Sequence, residues 1–241
     1  TSSKTFQHCQ PEALEDFINM KILFTKSLDQ EKVAEKLGTE VSVDFVEVIK
    51  TEFIKTKIFG LKNYSLIFTS VNGVKAFFEN GFDANENFAE KNYNKIYAVG
   101  SQTKKELRKH NFGTFKLCKN ASELSQFITE NSVNEKFLHF CGDLALDVLD
   151  EKLPLQNISY KKILVYKTEL LFPKINEKYQ AVVFFSPSGV RSFAQFNGLD
   201  DLKIFSIGKT TTSELKKLTD NKIITSHKNT LADLLNLIKF N

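Results

Sequence analysis

The sequence has little of what several classes of protein require. Only two of its 33 basic residues are arginines, Arg108 and Arg191, and tryptophan is absent. Because recognition of phosphates and base edges usually relies on arginine forks, a nucleic-acid partner is disfavoured. The four histidines are scattered, and no Cys/His cluster has the spacing of metal ligands. We therefore predict no metal site.

Cysteine and long apolar runs are also scarce. Cys9, Cys118 and Cys141 are an odd number without paired spacing. This pattern fits a reducing cytosol better than a disulfide scaffold. No apolar run reaches the length of a membrane span, and no segment has the pattern of a signal peptide. We therefore expect a cytoplasmic protein without a membrane partner, whose net charge of +4 is mildly basic.

What is present is an alternation of short apolar runs and amphipathic segments. The 241 residues are enough for one large or two ordinary domains, and the alternation is typical of parallel sheets with crossover helices. The clearest unit is residues 182–196, where a buried strand is followed by a polar turn, Ser186-Pro187-Ser188-Gly189, and then by a helix through Val190, Phe193 and Phe196. The first amides of a helix have no internal partners, so this turn is suited to bind an anion.

Three other boundaries follow from the same patterns. Residues 41–53 are predicted to form one strand, because they alternate apolar and polar positions and run on without a turn signal. A later helix runs through Leu107, and Ser101 is predicted to be its N-cap. A helix over residues 144–153 is predicted to stop at Pro154.

The two halves of the chain repeat one another. Positions in the unit around Ser70 and Gly73 recur around Ser186 and Gly189 at an offset of 116, and a second set recurs at 108. The spacings indicate an internal duplication. The first strand–helix unit of the chain matches the last unit of the inner half, so one domain is inserted into the other. The matched positions are Phe68, Ser70, Gly73, Val74 and Phe77 with Phe184, Ser186, Gly189, Val190 and Phe193, and then Ile96, Gly100, Thr103, Glu106 and Leu107 with Ile204, Gly208, Thr211, Glu214 and Leu215.

This insertion predicts an α/β fold of two similar parallel-sheet lobes. Residues 20–49 and 171–241 form a discontinuous domain, and residues 56–156 form the inserted domain. Residues 50–55 and 157–170 cross between them as a two-stranded antiparallel ladder, and residues 1–19 are an N-terminal extension. Since open α/β sheets bind ligands at the carboxyl ends of their strands, we expect the polar turns of both lobes to face a cleft between them.

Six motifs, in this order, resemble the uroporphyrinogen-III synthase family. They are IFTSVNGV (67–74), YAVGSQTKKEL (97–107), HFCGD (139–143), VYKTE (165–169), FFSPSGV (184–190) and SIGKTTTSEL (206–215). The resemblance implies two lobes joined by a β-ladder in a monomeric, cofactor-free enzyme of the cytosol. Such an enzyme is a carbon–oxygen lyase that cyclises hydroxymethylbilane to uroporphyrinogen III, with inversion of ring D and loss of water. Its partners are this linear tetrapyrrole polyanion and, in a transient hand-over, hydroxymethylbilane synthase.

The resemblance also indicates site residues. Tyr166 matches the family's candidate general acid, and a phenol with a pKa of about 10 stays protonated. Each ring of the substrate carries an acetate and a propionate, so binding requires anion recognition at many points. Two positions depart from the family: many members have arginine where this chain has Lys26, and proline is frequent at the position of Lys209. The expected substrate-binding residues are Lys26, Ser70, Asn72, Gly73, Ser101, Thr103, Gly142, Ser186, Ser188, Gly189, Lys209, Thr210 and Thr211.

Other interpretations of these residues remain. Tyr166 lies on a half-buried strand and is as well explained as a structural tyrosine, and core packing is the better explanation of His139 and Cys141. A role as helix caps alone is the alternative for the serines. A non-catalytic two-lobed module that binds anions or tetrapyrroles would explain the same lobes and turns. A regulator with an attached DNA-binding domain is disfavoured, because no helix-turn-helix segment is present.

Overall fold

A computed structural model of the chain describes residues 20–38, 40–85, 87, 90 and 93–241. The predicted N-terminal extension, residues 1–19, lies outside the described residues. Within them the strands are β1 (Met20–Phe24), β2 (Val41–Phe45), β3 (Ile49–Phe53), β4 (Ser65–Phe68), β5 (Ile96–Val99), β6 (Lys116–Cys118), β7 (Lys136–Gly142), β8 (Ser159–Leu170), β9 (Ala181–Phe184), β10 (Lys203–Ser206) and β11 (Ile223–Thr225). The helices are α1 (Gln30–Leu37), α2 (Val71–Glu79), α3 (Ser101–Lys109), α4 (Ala121–Asn131), α5 (Val148–Leu155), α6 (Pro187–Ala194), α7 (Lys209–Leu215) and α8 (Leu231–Lys239).

The strands form two sheets, which belong to two compact units. The terminal unit consists of the described residues up to Lys50 together with Leu170–Asn241, and the inserted unit is Thr51–Glu169. The five-stranded sheet has the order β11-β10-β9-β1-β2, and the six-stranded sheet has the order β3-β8-β7-β4-β5-β6. The five-stranded sheet is parallel throughout, as is the run from β8 to β6 in the larger sheet. The predicted α/β class is confirmed.

The strand orders show the duplication directly. When β4, β5, β6, β7 and β8 are set equal to β9, β10, β11, β1 and β2, the two sheets have the same order, with β3 added at one edge. The strand–helix units that come first in the terminal unit and last in the inserted unit therefore occupy equivalent places. The repeated spacings of the sequence correspond to repeated topology.

Each sheet is covered by helices on both faces, which accounts for its buried strands. In the terminal unit, alternation along β9 sends Val183 toward α1 and α8, and Val182 and Phe184 toward α6 and α7. In the inserted unit, Phe68 of β4 packs with Phe77 of α2, their ring centroids 5.3 Å apart. Ile67, the preceding residue of β4, lies in a second cluster with α4 and α5. The phenylalanines of the inner strands are therefore core residues.

The single strand predicted over residues 41–53 is wrong. β2 ends at Phe45 and β3 begins at Ile49, in the other sheet. The backbone N–H of Val46 donates to the carbonyl of Phe24, and Val48 is buried in the core of the terminal unit. An alternating pattern cannot show that a chain leaves one sheet and enters another.

Three helix boundaries also differ from the predictions. The N-cap of α3 is Gly100 and not Ser101, because Gly100 adopts a φ of 84° and its carbonyl accepts the N–H of Lys104. α5 begins only at Val148 and continues one residue past Pro154, which lies in its last turn. α6 ends at Ala194, so Phe196 lies beyond it and is exposed.

Candidate active site

In the inserted unit, polar groups gather where the parallel strands end. Ser70 follows β4 and caps α2, since its Oγ accepts the N–H of Gly73 at 3.0 Å. The next strand but one in the sheet, β8, brings the hydroxyl of Tyr166 to 3.0 Å from the same Oγ. Two motifs that are 96 residues apart in the sequence therefore meet at one hydrogen bond. The strand and this contact together hold the phenol of Tyr166 in a fixed position.

A change of register between β7 and β8 places Tyr166. Cys141 pairs with Leu164, but Gly142 pairs with Tyr166, so one residue of β8 is left over at this point. Such bulges re-aim a side chain. The ring of Tyr166 lies against Gly142, where an added Cβ would be 2.3, 2.5 and 2.8 Å from three ring atoms. Only glycine leaves room for the ring at this position.

The surroundings of Tyr166 keep its phenol protonated. Burial is the largest effect and raises the pKa of Tyr166, whereas the hydrogen bond with Ser70 lowers it. The negative charge of Asp143 raises the pKa further, and the backbone amide of Gly142 lowers it. The net shift is upward from the ordinary value. The phenol of Tyr166 is therefore protonated at neutral pH.

The other expected residues of the inserted unit are placed differently. Asn72, on the first turn of α2, donates from Nδ2 to the hydroxyl of Thr51 at 3.3 Å. Ser101 is exposed at the start of α3. Thr103, two residues later, is only 3% exposed. Of these two residues, only Ser101 is therefore open to solvent.

In the terminal unit, the turn that follows β9 repeats the turn after β4. The Oγ of Ser186 accepts the N–H of Gly189 at 3.0 Å and lies 3.1 Å from the hydroxyl of Ser188. Gly189 is closely packed, since an added Cβ would lie 3.1 Å from both Ser186 Oγ and Val48 Cγ2. The predicted equivalence of Ser70 and Ser186 is confirmed at the level of the cap.

Two exposed lysines follow β1 and β10, the strands on either side of β9 in the same sheet. Lys26 comes directly after Thr25, whose hydroxyl donates to the carbonyl of Val183 at 2.8 Å and is therefore used within the fold. Lys209 and Thr210 open α7 and are exposed. Thr211 is only 1% exposed and, like its equivalent Thr103, lies inward.

A buried chain of hydrogen bonds next to this edge was not predicted. His139 of β7 is 1% exposed. Its Nε2 lies 2.9 Å from the hydroxyl of Thr69, and its Nδ1 lies 2.7 Å from the hydroxyl of Tyr160. Burial lowers the pKa of His139 to about 3, so the ring is neutral. The predicted core position of His139 is confirmed. His139 is also hydrogen-bonded to Thr69, the residue before the Ser70 cap.

We expect His139 to make the folded state sensitive to acid. Its pKa in the unfolded chain is about 6.5. As the pH falls from that value toward 3, only the unfolded state takes up the proton, so the free energy of unfolding decreases by up to about 5 kcal/mol. The loss should be absent above pH 7. Denaturant unfolding of the wild type and of His139→Gln between pH 7 and pH 4 measures this effect, and parallel curves for the two proteins would show that His139 has no part in it.

Two features of the described residues bear on other kinds of site. Across residues 20–38, 40–85, 87, 90 and 93–241, no group of three or more His, Cys, Asp or Glu side chains is arranged to hold a metal ion. Over the same described ranges, no helix combines the length and the apolar character needed to span a membrane.

Comparisons with known proteins agree with this fold. A family profile described as uroporphyrinogen-III synthase HemD matches residues 30–236. The crystal structure of uroporphyrinogen-III synthetase from Helicobacter pylori superposes with a TM-score of 0.63 at 20% identity, covering 91% of this chain and 98% of that one. A mutant uroporphyrinogen III synthase from the extremely thermophilic bacterium Thermus thermophilus superposes with a TM-score of 0.62 at 13% identity, covering 92% and 98%. At these identities the superpositions show the shared fold. A sequence comparison with curated proteins gives no significant match.

The duplicated α/β fold, with capped polar turns at the strand ends, defines the class of protein, and the matched profile spans most of the chain. The chain belongs to the uroporphyrinogen-III synthase family. Its function is to cyclise hydroxymethylbilane to uroporphyrinogen III in tetrapyrrole biosynthesis. Membership of this enzyme family favours the enzyme over the alternative hypothesis of a non-catalytic binding module.

Proposed function

We propose that the chain catalyses this cyclisation as a carbon–oxygen lyase in which Tyr166 is the general acid. The phenol gives its proton to the terminal hydroxyl of the substrate, the C–O bond breaks, and water leaves. The electron pair of the pyrrole nitrogen forms the azafulvene that remains. The substituted carbon of ring D then attacks to give a spiro intermediate, whose bond from ring D to its original methylene breaks. The other α-carbon of ring D closes the macrocycle with ring D inverted, and the proton that this carbon loses returns to the phenolate. The observation behind this proposal is the 3.0 Å contact between Tyr166 and Ser70.

Ser70 is suited to keep the proton of Tyr166 directed outward. Its Oγ already accepts the N–H of Gly73, so its own O–H is available to donate to the phenol oxygen. The proton of Tyr166 is then left for the substrate. When it has been transferred, the hydrogen bond from Ser70 and the amide of Gly142 favour the phenolate. The same contact therefore orients the acid and stabilises its conjugate base.

Substrate binding is assigned to the strand ends of each unit. The first turns of α2 and α6 have amides without helical partners, and an anion at such a position gains roughly 0.3–1 kcal/mol when exposed. Lys26 and Lys209 add exposed positive charge to the terminal unit. The duplicated caps support this assignment, because a substrate with carboxylates on every ring needs several similar sites. The residues proposed to contact substrate are Lys26, Ser70, Asn72, Gly73, Ser101, Gly142, Ser186, Ser188, Gly189, Lys209 and Thr210, and the buried Thr103 and Thr211 are proposed to support their turns.

Much of the rate acceleration is proposed to come from geometry. Without the enzyme, the substrate closes to isomer I, so the protein must hold the substituted carbon of ring D nearest to the reactive carbon. Fixing two groups in a reactive arrangement can supply roughly 7–11 kcal/mol. One acid and several carboxylate sites are then enough for the reaction.

Several features of the proposed enzyme are supported by family membership alone. They are a monomeric state, a cytoplasmic location, activity without a cofactor, and transfer of the substrate from hydroxymethylbilane synthase. Linking segments over residues 50–55 and 157–170 also remain a proposal.

Ser70→Ala tests the proposed acid pair, with Asn120→Ala as a matched control. Asn120 caps α4 in the same unit, where its side chain accepts the N–H of Glu123 at 2.9 Å. Each substitution removes an N-cap and is expected to lower the free energy of unfolding by about 0.5–2 kcal/mol. Only Ser70→Ala should also lower kcat, by about tenfold, since it removes a hydrogen bond to a developing charge. Equal kcat values in the two variants would contradict the proposed role of Ser70.

A further inference from the structure

Asp143 follows Gly142 and ties the end of β7 to β8 at two points just beyond the bulge. Its backbone N–H donates to the carbonyl of Tyr166 at 3.2 Å. Its side-chain Oδ1 accepts the N–H of Thr168 at 2.9 Å and the N–H of Leu144 at 3.0 Å. Asp143 therefore forms hydrogen bonds with β8 at Tyr166 and at Thr168.

The side chain of Asp143 is exposed, so core packing does not explain it. A carboxylate beside a site for a polyanion disfavours binding by like-charge repulsion. Asp143 therefore needs a role that offsets this repulsion. The hydrogen bonds that its carboxylate accepts from the N–H groups of Leu144 and Thr168 supply one.

The bulge makes such a hold necessary. After the register changes between Cys141 and Gly142, Gly142 with Tyr166 is the last pair of the ladder between β7 and β8, so beyond it this ladder no longer fixes β8 on the side of β7. The ring of Tyr166 must lie flat against Gly142 while its hydroxyl remains 3.0 Å from Ser70. A small shift of β8 would break this arrangement. The bonds of Asp143 oppose that shift.

We propose that Asp143 is a positioning residue for the reaction, because its carboxylate holds β8 so that the phenol of Tyr166 points at the substrate. This inference rests on the proposed function of Tyr166. Asp143 itself touches no reacting atom. What it supplies is an acceptor for two amides, and its charge is not needed for this role.

Asp143→Asn and Asp143→Ala separate the acceptor from the charge. Asparagine keeps an oxygen for Thr168 and Leu144, whereas alanine removes it. We expect Asp143→Ala to lower kcat by on the order of 10–100-fold with little change in KM, since a small misplacement of a reacting group has effects of this size. Asp143→Asn should stay within about threefold of the wild type, because the acceptor is kept. An Asp143→Asn variant as slow as Asp143→Ala would overturn the inference.

A double-mutant cycle tests whether the effect passes through Tyr166. In a Tyr166→Phe background, Asp143→Ala should lower kcat further by less than about twofold, because the hydroxyl that it positions is gone. The same fold-loss in both backgrounds would show that Asp143 acts elsewhere, and would contradict the proposal.

Hydrogen exchange at the Thr168 amide, followed by NMR, gives a readout independent of activity. It should be about tenfold faster in Asp143→Ala than in the wild type, and unchanged in Asp143→Asn. Equal rates in all three proteins would overturn the inference. If Tyr166→Phe alone leaves turnover unchanged, the proposed function of Tyr166 fails, and the exchange rates alone then decide whether Asp143 holds the strand.

Discussion

Tyr166→Phe is expected to lower kcat for uroporphyrinogen III formation by about 10²–10⁴-fold, the usual contribution of a positioned general acid. The ring keeps its place against Gly142, because phenylalanine has the same shape without the hydroxyl. Only the hydrogen bond to Ser70 is lost, so the free energy of unfolding should fall by no more than about 1 kcal/mol. Single-turnover kinetics with hydroxymethylbilane generated in situ measure the loss.

Tyr179→Phe is the matched control for this substitution. The hydroxyl of Tyr179 donates to Asp44 at 2.8 Å in the terminal unit, so this variant also loses one phenol hydrogen bond. Its kcat should equal that of the wild type. A Tyr166→Phe variant with wild-type kcat would reduce Tyr166 to a packing residue.

The turnover rate of the wild type should decline only above the ordinary tyrosine pKa of about 10, because the pKa of Tyr166 is raised.

Gly142→Ala is expected to have the second-largest effect. The added methyl group would lie 2.3–2.8 Å from three atoms of the Tyr166 ring, and an aromatic ring cannot bend away. The ring must move as a whole, which breaks its contact with Ser70. We expect a loss in kcat of about 10²-fold and a decrease in the free energy of unfolding of about 1–3 kcal/mol. Steady-state kinetics and denaturant unfolding of the same preparation measure both.

Gly60→Ala is the control for the added methyl group. No atom lies within 4 Å of the place that its Cβ would take, and its φ is not in the left-handed region. The substitution should leave kcat unchanged and should stabilise the protein by up to about 1 kcal/mol. If Gly142→Ala behaved like Gly60→Ala, the ring of Tyr166 would not depend on this glycine.

Features that depend on local pattern could be predicted from the sequence. The Ser-x-x-Gly spacing at Ser70 and Ser186 predicts a cap and an open first turn, and both caps are present. Repetition of this spacing predicts two similar sheets, because a duplicated chain folds into duplicated topology. The polar turns lie at strand ends for the same reason, since parallel strands end at one edge.

Features that depend on pairing between distant strands could not be predicted. The bulge that places Tyr166 beside Gly142 is a property of the register of β7 with β8, and neither strand shows it alone. Burial of Thr103 and Thr211 depends on which side of each helix faces its sheet at the first turn. The hydrogen bonds of His139 join three elements, and in the sequence His139 is only one polar residue in an apolar strand.

The isomer composition of the product tests the function most directly. The purified protein is supplied with hydroxymethylbilane made in situ, the products are oxidised to porphyrins, and isomers I and III are separated. We expect isomer III to predominate with the wild-type protein and isomer I without it. A product no richer in isomer III than the protein-free control would contradict the enzyme function and would leave a protein that only binds the tetrapyrrole.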